Sequence, residues 1–321
     1  MSQSAYHLVG DVGGTHARLA LLQGDSNQLV SIETRHCADF PSLQAAIHHY
    51  LEGQQVAHLE SACLALACPV NADRIQFTNN PWSFSREELR TEFNLKAIRL
   101  VNDFTAMALG MLHVPQDQLL SLTPQLQWTR EVRAVIGPGT GLGFSALIPS
   151  QSDWQALSTE GGHVAFAPRD ELELEILRIL MKRHNNRVSA ERVLCGQGLV
   201  NIYSALAEIH RLDAVYSTPA EITQGAMKGD GLAKQALNRF CNMLGDYAGD
   251  MVLALGAMGG VYLCGGILPR IQDQFLASDF MAHFTNKGRF TEYLAGVPVA
   301  LSLAEQPGLM GAAVALRRCP D

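Results

Sequence analysis

Asn102-Asp103, Glu160-Gly161-Gly162-His163 and Glu191 are the stretches of this sequence whose side chains have chemistry to offer. They supply carboxylates, one amide and one imidazole, and no Ser/His/Asp or Cys/His arrangement for nucleophilic attack accompanies them. Such a set suits a polyol. Each hydroxyl is both donor and acceptor, so holding several takes carboxylates and amides at fixed places. Asp103 is the candidate general base, because it follows the apolar stretch Ala97–Val101 on a strand-to-helix turn where packing needs neither it nor Asn102. On position alone, the same carboxylate equally serves as the cap of a helix starting at Phe104. His163 taken alone fits a satisfied structural histidine, and Glu191 taken alone fits an acid in the first turn of a helix beginning Ser189-Ala190. The glycine pair between Glu160 and His163 allows a bend tight enough to turn both toward one small ligand.

Two glycine clusters supply a second kind of chemistry. Gly10-Asp11-Val12-Gly13-Gly14-Thr15 lies between Tyr6–Val9 and Ala17–Leu22, and Gly137-Pro138-Gly139-Thr140-Gly141-Leu142-Gly143 between Arg133–Ile136 and Phe144–Ile148. Each predicts a β-hairpin whose tight turn aims backbone N–H groups at open space, a concave anion site. An ordinary hairpin turn is the plain alternative for either cluster alone. The sequence has no Gly-Lys dipeptide and no G-x-G-x-x-G, which excludes a Walker A loop and the dinucleotide fingerprint. Phosphate would repel Asp11 beside such amides unless Mg²⁺ lay between them, directly or through water. A phosphate cradle, a magnesium carboxylate and a polyol cage together point to phosphoryl transfer from ATP to a sugar.

Composition narrows the class. The 321 residues are 47% hydrophobic and 17% charged, the make-up of a soluble globular protein with length enough for two lobes. A formal charge of −7 argues against nucleic acid or an anionic membrane as a partner. The first residues, Met1 to Tyr6, have no basic or apolar region, so no secretory signal is expected, and Gly10 stands too near the start for a preceding DNA-binding element. Met251–Pro269 is uncharged, but its glycines split it into a helix end, a turn at Ala257–Gly260 and a core strand Val261–Cys264. Cysteines at 37, 63, 68, 195, 241, 264 and 319 form no C-x-x-C pair, the pattern of a reducing cytoplasm without disulfides or zinc.

The elements that must position these residues alternate. Helices are expected at Pro41–Leu51, Phe84–Phe93 (Ser85 as N-cap with Glu88 completing a capping box) and Phe104–Leu112, and strands at Ser61–Val70 and Ala97–Val101. The second half repeats the grammar, with helices near 170–184, 189–194, 198–210 and 232–255. The last carries Leu232, Ala236, Phe240, Leu244, Tyr247, Met251 and Leu255 on one stripe. This is α/β architecture with two related lobes, in which ligands sit at carboxyl ends of strands, where Asp103 and Gly265-Gly266 fall.

In order and spacing, further segments accompany the two glycine clusters. They are Asn102–Ala106, Glu160–Val164 with Phe166-Ala167-Pro168, Ser189–Leu194, Gly265-Gly266-Ile267 with Pro269-Arg270, and Lys287–Phe290. With them the chain resembles, nearly end to end, the bacterial glucokinases of the actin-like sugar kinase superfamily. The resemblance implies a two-lobed actin-like (ribonuclease H-like, duplicated) ATPase fold with a central cleft. The small lobe would be 1–110 plus 300–321, and the large lobe 111–299. It implies glucose contacts from Asn102, Asp103, Glu160, His163 and Glu191, with Asp103 taking the proton of the 6-hydroxyl. ATP would be held by Gly10, Asp11, Val12, Gly13, Gly14, Thr15, Gly137, Gly139, Thr140, Gly265 and Gly266, and Mg²⁺ by Asp11 through water. A cytoplasmic homodimer is implied as well. The related repressor/kinase family carries a zinc-binding cysteine cluster after a similar Glu-x-x-His element, and no cysteine occurs here between Cys68 and Cys195, so no zinc is expected. Asp250 reads as a polar-face residue only. A kinase for another hexose, a non-catalytic sugar sensor and a phosphate-anhydride hydrolase are the rival expectations.

Overall fold

The structure, a computed structural model, describes residues 5–318 apart from 71, 78, 79, 125 and 152; Cys319 and the first four residues lie outside the described residues. In chain order the strands are Tyr6–Val12 (β1), His16–Gln23 (β2), Val30–His36 (β3), Ser61–Leu66 (β4), Arg74–Gln76 (β5), Ser83–Ser85 (β6), Ala97–Asn102 (β7), Leu119–Ser121 (β8), Arg133–Pro138 (β9), Leu142–Pro149 (β10), Trp154–Leu157 (β11), Gly260–Leu263 (β12) and Val299–Ser302 (β13). The α-helices are Leu43–Gln54 (α1), Arg86–Glu92 (α2), Asp103–Met111 (α3), Glu171–Arg183 (α4), Gly196–His210 (α5), Pro219–Met227 (α6), Gly231–Leu255 (α7), Gln272–Leu276 (α8), Phe280–Thr285 (α9), Thr291–Ala295 (α10) and Pro307–Arg317 (α11). No helix among the described residues is long and apolar enough to cross a membrane.

Contacts divide the chain into two compact units, Met1–Pro115 with Trp154–Ser158 and Ala304–Asp321, and Gln116–Asp153 with Thr159–Leu303. These bounds differ from a cut at 110 and 300, which would fall inside α3 and inside β13. They also move Trp154–Ser158 into the first unit, where β11 packs on α3 and Arg318 donates to the Trp154 carbonyl.

The first unit is built on a sheet in the order β3-β2-β1-β4-β7. β1, β4 and β7 are parallel, and their register brings Val12, Leu66 and Asn102 level. The shared end explains why β4 stops at Leu66, short of the expected Val70: its two neighbours stop there too. It also places the turn after Val12 and the Asn102-Asp103 step at one edge of one sheet. Parallel strands covered on both faces read as near-continuous apolar runs, and β1 and β4 do. Capping follows the sequence closely. Ser42 Oγ accepts from Ala45 N, so α1 starts at Leu43, and Ser85 with Glu88 makes the capping box at α2.

Helices α3 and α11 cross on β1, β4 and β7 at backbone contact. A Cβ on Gly110 would strike the Pro307 carbonyl, and one on Gly311 the Ala106 carbonyl. Arg99 on β7 then fixes the far end of α11 by donating to the Ala315 and Arg318 carbonyls at 2.9 and 3.0 Å.

The second unit repeats the plan. Its strands run β10-β9-β12-β13-β8, with β9 and β10 an antiparallel hairpin and β9, β12 and β13 parallel. Helix α7 forms the centre of its core: Ala236, Phe240, Leu244 and Tyr247 are buried, and α5, α6 and α9 pack around them. Asp250 is not merely a polar-face residue. It pairs at 2.7 Å with Lys287, whose side chain is buried.

The crossing of α3 on α11 yields a paired prediction. Gly311→Ala should cost about 1–3 kcal/mol, because the methyl has only backbone to meet. Gly53→Ala, late in α1 with nothing within 4 Å of the new methyl, should instead stabilise by about 0.5–1 kcal/mol. Urea unfolding midpoints read both; a neutral Gly311→Ala would show that the two helices can separate without loss.

Candidate active site

The Asn102-Asp103 step is built by a division of labour. Asn102 ends β7 with extended backbone, and its Oδ1 accepts from Phe104 N (2.9 Å) and Thr105 N (3.1 Å). The cap of α3 is therefore Asn102, and Asp103 is the first helical residue, its Oδ1 accepting from Phe104 N at 2.8 Å. Position alone does not separate these roles, because both side chains reach the Phe104 N–H. Cys68 stands close enough for the Asp103 charge to reinforce what burial does to its thiol, pushed up to about 11.

The first glycine turn sits at the same sheet edge. Gly13 N donates to His16 O at 2.9 Å, which closes the β1–β2 hairpin. Its amide is thereby engaged within the hairpin. Gly14 and Thr15 N–H have no partner among the described residues. Cys37 supports the turn, its N donating to Thr15 O (2.8 Å) and its thiol to Gly13 O (3.6 Å). Burial pushes that thiol up, so it remains a donor. Gly10 lies within β1 against Leu64 and Leu19, and Val12 is fully buried, so both side-chain positions serve packing.

Asp11 is 20% exposed, with Oδ2 at 3.2 Å from Arg18 Nη1 and close to Gly308 in the first turn of α11. Burial pushes its carboxyl above the ordinary range, and Arg18 pulls the other way. Magnesium keeps several waters and takes one or two carboxylates together with phosphate oxygens. Asp11 with Oδ1 unengaged fits that mode, whereas no group of three or more His, Cys, Asp or Glu among the described residues forms a cage.

In the second unit, three segments meet around the β9–β10 turn. Gly139 N donates to Gly141 O (2.8 Å), and Gly139 O accepts from Gly196 N (2.9 Å). Gly139 N–H is thus also engaged inside its hairpin, and Thr140 and Gly141 N–H have no partner among the described residues. In both hairpins the tight turn engages its own first amide. Gly137 is inside β9. Gly265, at φ +85°, backs onto it so closely that a Cβ would lie 2.6 Å from Pro138 O, while Gly266 faces open space.

Gly161 and Gly162 let a short 3₁₀ turn lie flat on β10, for side chains there would strike Phe144 and the Leu142 carbonyl. Beyond it, Phe166 N donates to Val188 O and Ala190 N to Val164 O, with Ala165 bridging Ser189. This short pairing brings His163 beside Glu191: Nδ1 is 3.9 Å from Oε1, and Glu160 Oε2 is 4.0 Å from His163 Nε2. Glu191 is more than a helix-dipole acid, since its Oε2 accepts from Leu142 N at 3.0 Å. Residues with no motif around them complete the frame. Arg187 donates to the His163 carbonyl at 2.7 Å. Arg169 holds the far end of the segment, reaching the buried Asp246 at 2.8 Å and the Asn286 carbonyl at 2.9 Å, while its N–H donates to the buried Glu173. Asp246 also meets His283 Nδ1 at 2.7 Å. Burial pushes the Glu173 carboxyl up. A lone arginine in a loop carries no pattern that sequence inspection could single out.

Comparison with known proteins places the chain. A family-wide sequence profile described as Glucokinase matches residues 8–319. A curated protein named Glucokinase from Hahella chejuensis is 46% identical over 318 residues, covering 99% of this chain and 98% of its own. Another of that name, from Chromohalobacter salexigens, is 48% identical over 309 residues, covering 96% and 97%. Among solved structures, a glucokinase from an Antarctic psychrotroph superposes with a TM-score of 0.86 at 36% identity, over 98% of this chain and 99% of that one. The α/β arrangement is accordingly the actin-like ATPase fold, and the chain belongs to the glucokinase family.

Proposed function

We propose that this protein transfers the γ-phosphoryl group of ATP to the 6-hydroxyl of glucose, giving glucose 6-phosphate and ADP. The observation that carries the proposal is the convergence of Glu160, His163 and Glu191 beside a glycine turn with unengaged N–H groups. Three polar side chains drawn from separated segments suit a ring of hydroxyls, and the neighbouring amides suit phosphate oxygens. Asn102, Asp103, Glu160, His163 and Glu191 hold the sugar; Gly14, Thr15, Thr140 and Gly141 N–H face phosphates, and Gly265-Gly266 the adenosine. Glucose and ATP are the partners, with neither nucleic acid nor membrane, in keeping with the acidic charge. The buried, unbonded cysteines at 37, 63, 68, 195, 241 and 264 suit a reducing cytoplasm. The homodimer rests on the family resemblance.

Catalysis follows from position and charge. Asp103 accepts the proton of the 6-hydroxyl as that oxygen attacks the γ-phosphorus, and the bond to the β,γ-bridging oxygen breaks with its electron pair leaving on ADP. The hairpin amides stabilise charge on the equatorial oxygens without reorganising. Asn102, Glu160, His163 and Glu191 fix the ring so that the encounter is aligned. Asp11 would hold Mg²⁺ through water, and the ion would neutralise part of the polyphosphate charge.

Asp103→Asn separates a base from a helix cap. Because Asn102 makes the cap, the variant should melt close to the parent while kcat falls on the order of 10²–10⁴-fold; near-parental turnover would reduce Asp103 to a structural residue. Removing metal with EDTA should abolish turnover and Mg²⁺ alone should restore it, whereas full activity in EDTA would remove the ion from the scheme. A coupled ADP assay across hexoses should give the highest kcat/KM with glucose. A preference for mannose or fructose would reassign the substrate, and binding without turnover would make the protein a sensor.

A further inference from the structure

We propose that Gly141 is a positioning residue for the sugar, acting through Glu191, although it stands in the turn assigned to phosphate. The proposal rests on the reading of Glu191 as a glucose ligand. Gly141 does not have the positive φ that calls for glycine, so its backbone accepts any L-residue. The turn closes through Gly139 N and the Gly141 carbonyl, which a side chain at 141 would not disturb. What a Cβ at 141 meets within 4 Å is one group: Glu191 Oε2 at 2.5 Å and its carboxyl carbon at 3.5 Å. The missing side chain is therefore room for a carboxylate.

That room sets where Glu191 points. Its Oε2 lies over Gly141 and accepts from Leu142 N, which leaves Oε1 directed to the His163 side. A methyl at 141 displaces Oε2, breaks the bond to Leu142 N–H and swings Oε1 away from its place beside His163. The side chain is flexible, so it moves rather than the hairpin. One carboxylate thus makes the geometry of the sugar cage depend on a residue of the neighbouring glycine turn.

A double-mutant cycle on glucose affinity, measured by calorimetry without nucleotide, tests this. Gly141→Ala should weaken glucose about tenfold, the scale of a lost hydrogen bond to a charged group, and Glu191→Ala by at least as much. The double variant should be no weaker than Glu191→Ala, because the methyl then has nothing left to displace. Amide exchange at Leu142 should quicken in both single variants. If Gly141→Ala leaves glucose affinity unchanged, or its loss adds in full to that of Glu191→Ala, the proposal fails and Glu191 remains a sugar ligand. If Glu191→Ala itself leaves glucose affinity unchanged, the underlying assignment of Glu191 fails and takes the proposal with it. Glu191→Asp, which withdraws the carboxylate by one methylene, serves the same cycle if Glu191→Ala does not fold.

Discussion

The first unit depends on two helices approaching until their backbones touch. Gly110 and Gly311 let α3 and α11 press carbonyl against α-carbon, and a Cβ at either position would force the helices apart. From that crossing follow the seat of α3 on the parallel strands and the direction in which Asp103 leaves β7. The same contact carries the start of α11 to Asp11, since Gly308 lies beside that carboxylate. The first glycine turn and the candidate base are thus held by one packing event as well as by one sheet edge.

The second unit solves its positioning problem with polar groups. Its functional segments lie far apart in sequence, and a short pairing of Val164–Phe166 with Val188–Ala190 brings them together. Arg169, Asp246, Lys287 and Glu173 lock the outer end of that segment through buried charge. Buried ion pairs contribute less to stability than to fixing one arrangement, since each charge gives up solvation that only correct geometry returns. Here the arrangement so fixed is the one that sets His163 beside Glu191.

Much of the plan was legible in the sequence for identifiable reasons. Glycine clusters between alternating apolar runs can hardly be anything but hairpins, and Ser85 with Glu88 announces its helix through a local interaction that sequence spacing determines. The site side chains stood out by type, because packing has no use for Asn102-Asp103 or for Glu160. Long-range matters were not legible. Which amides of each turn remain unengaged depends on closure by Gly13 and Gly139, and Asn102 rather than Asp103 is the cap because the backbone is still extended there. Helix α6 does carry a local signal, the Thr218–Glu221 capping box with Pro219 at its first position, which sequence reading passed over, whereas the lysine partner of Asp250 is a long-range contact that no motif marks. Nothing in the letters of Gly110 or Gly311 tells a contact glycine from a weak spot in a helix.

Helix α11 also bears on how the protein is made. Strands β1 to β7 and α3 of the first unit leave the ribosome early, but the helix that covers β1 and β4 and crosses α3 is synthesised only after the whole second unit. Until it docks, an apolar sheet face stays open and Asp103 has no fixed seat, so the second unit is free to mature before the first. In a nascent chain the β9–β10 hairpin of the second unit can therefore close before α3 is held in place.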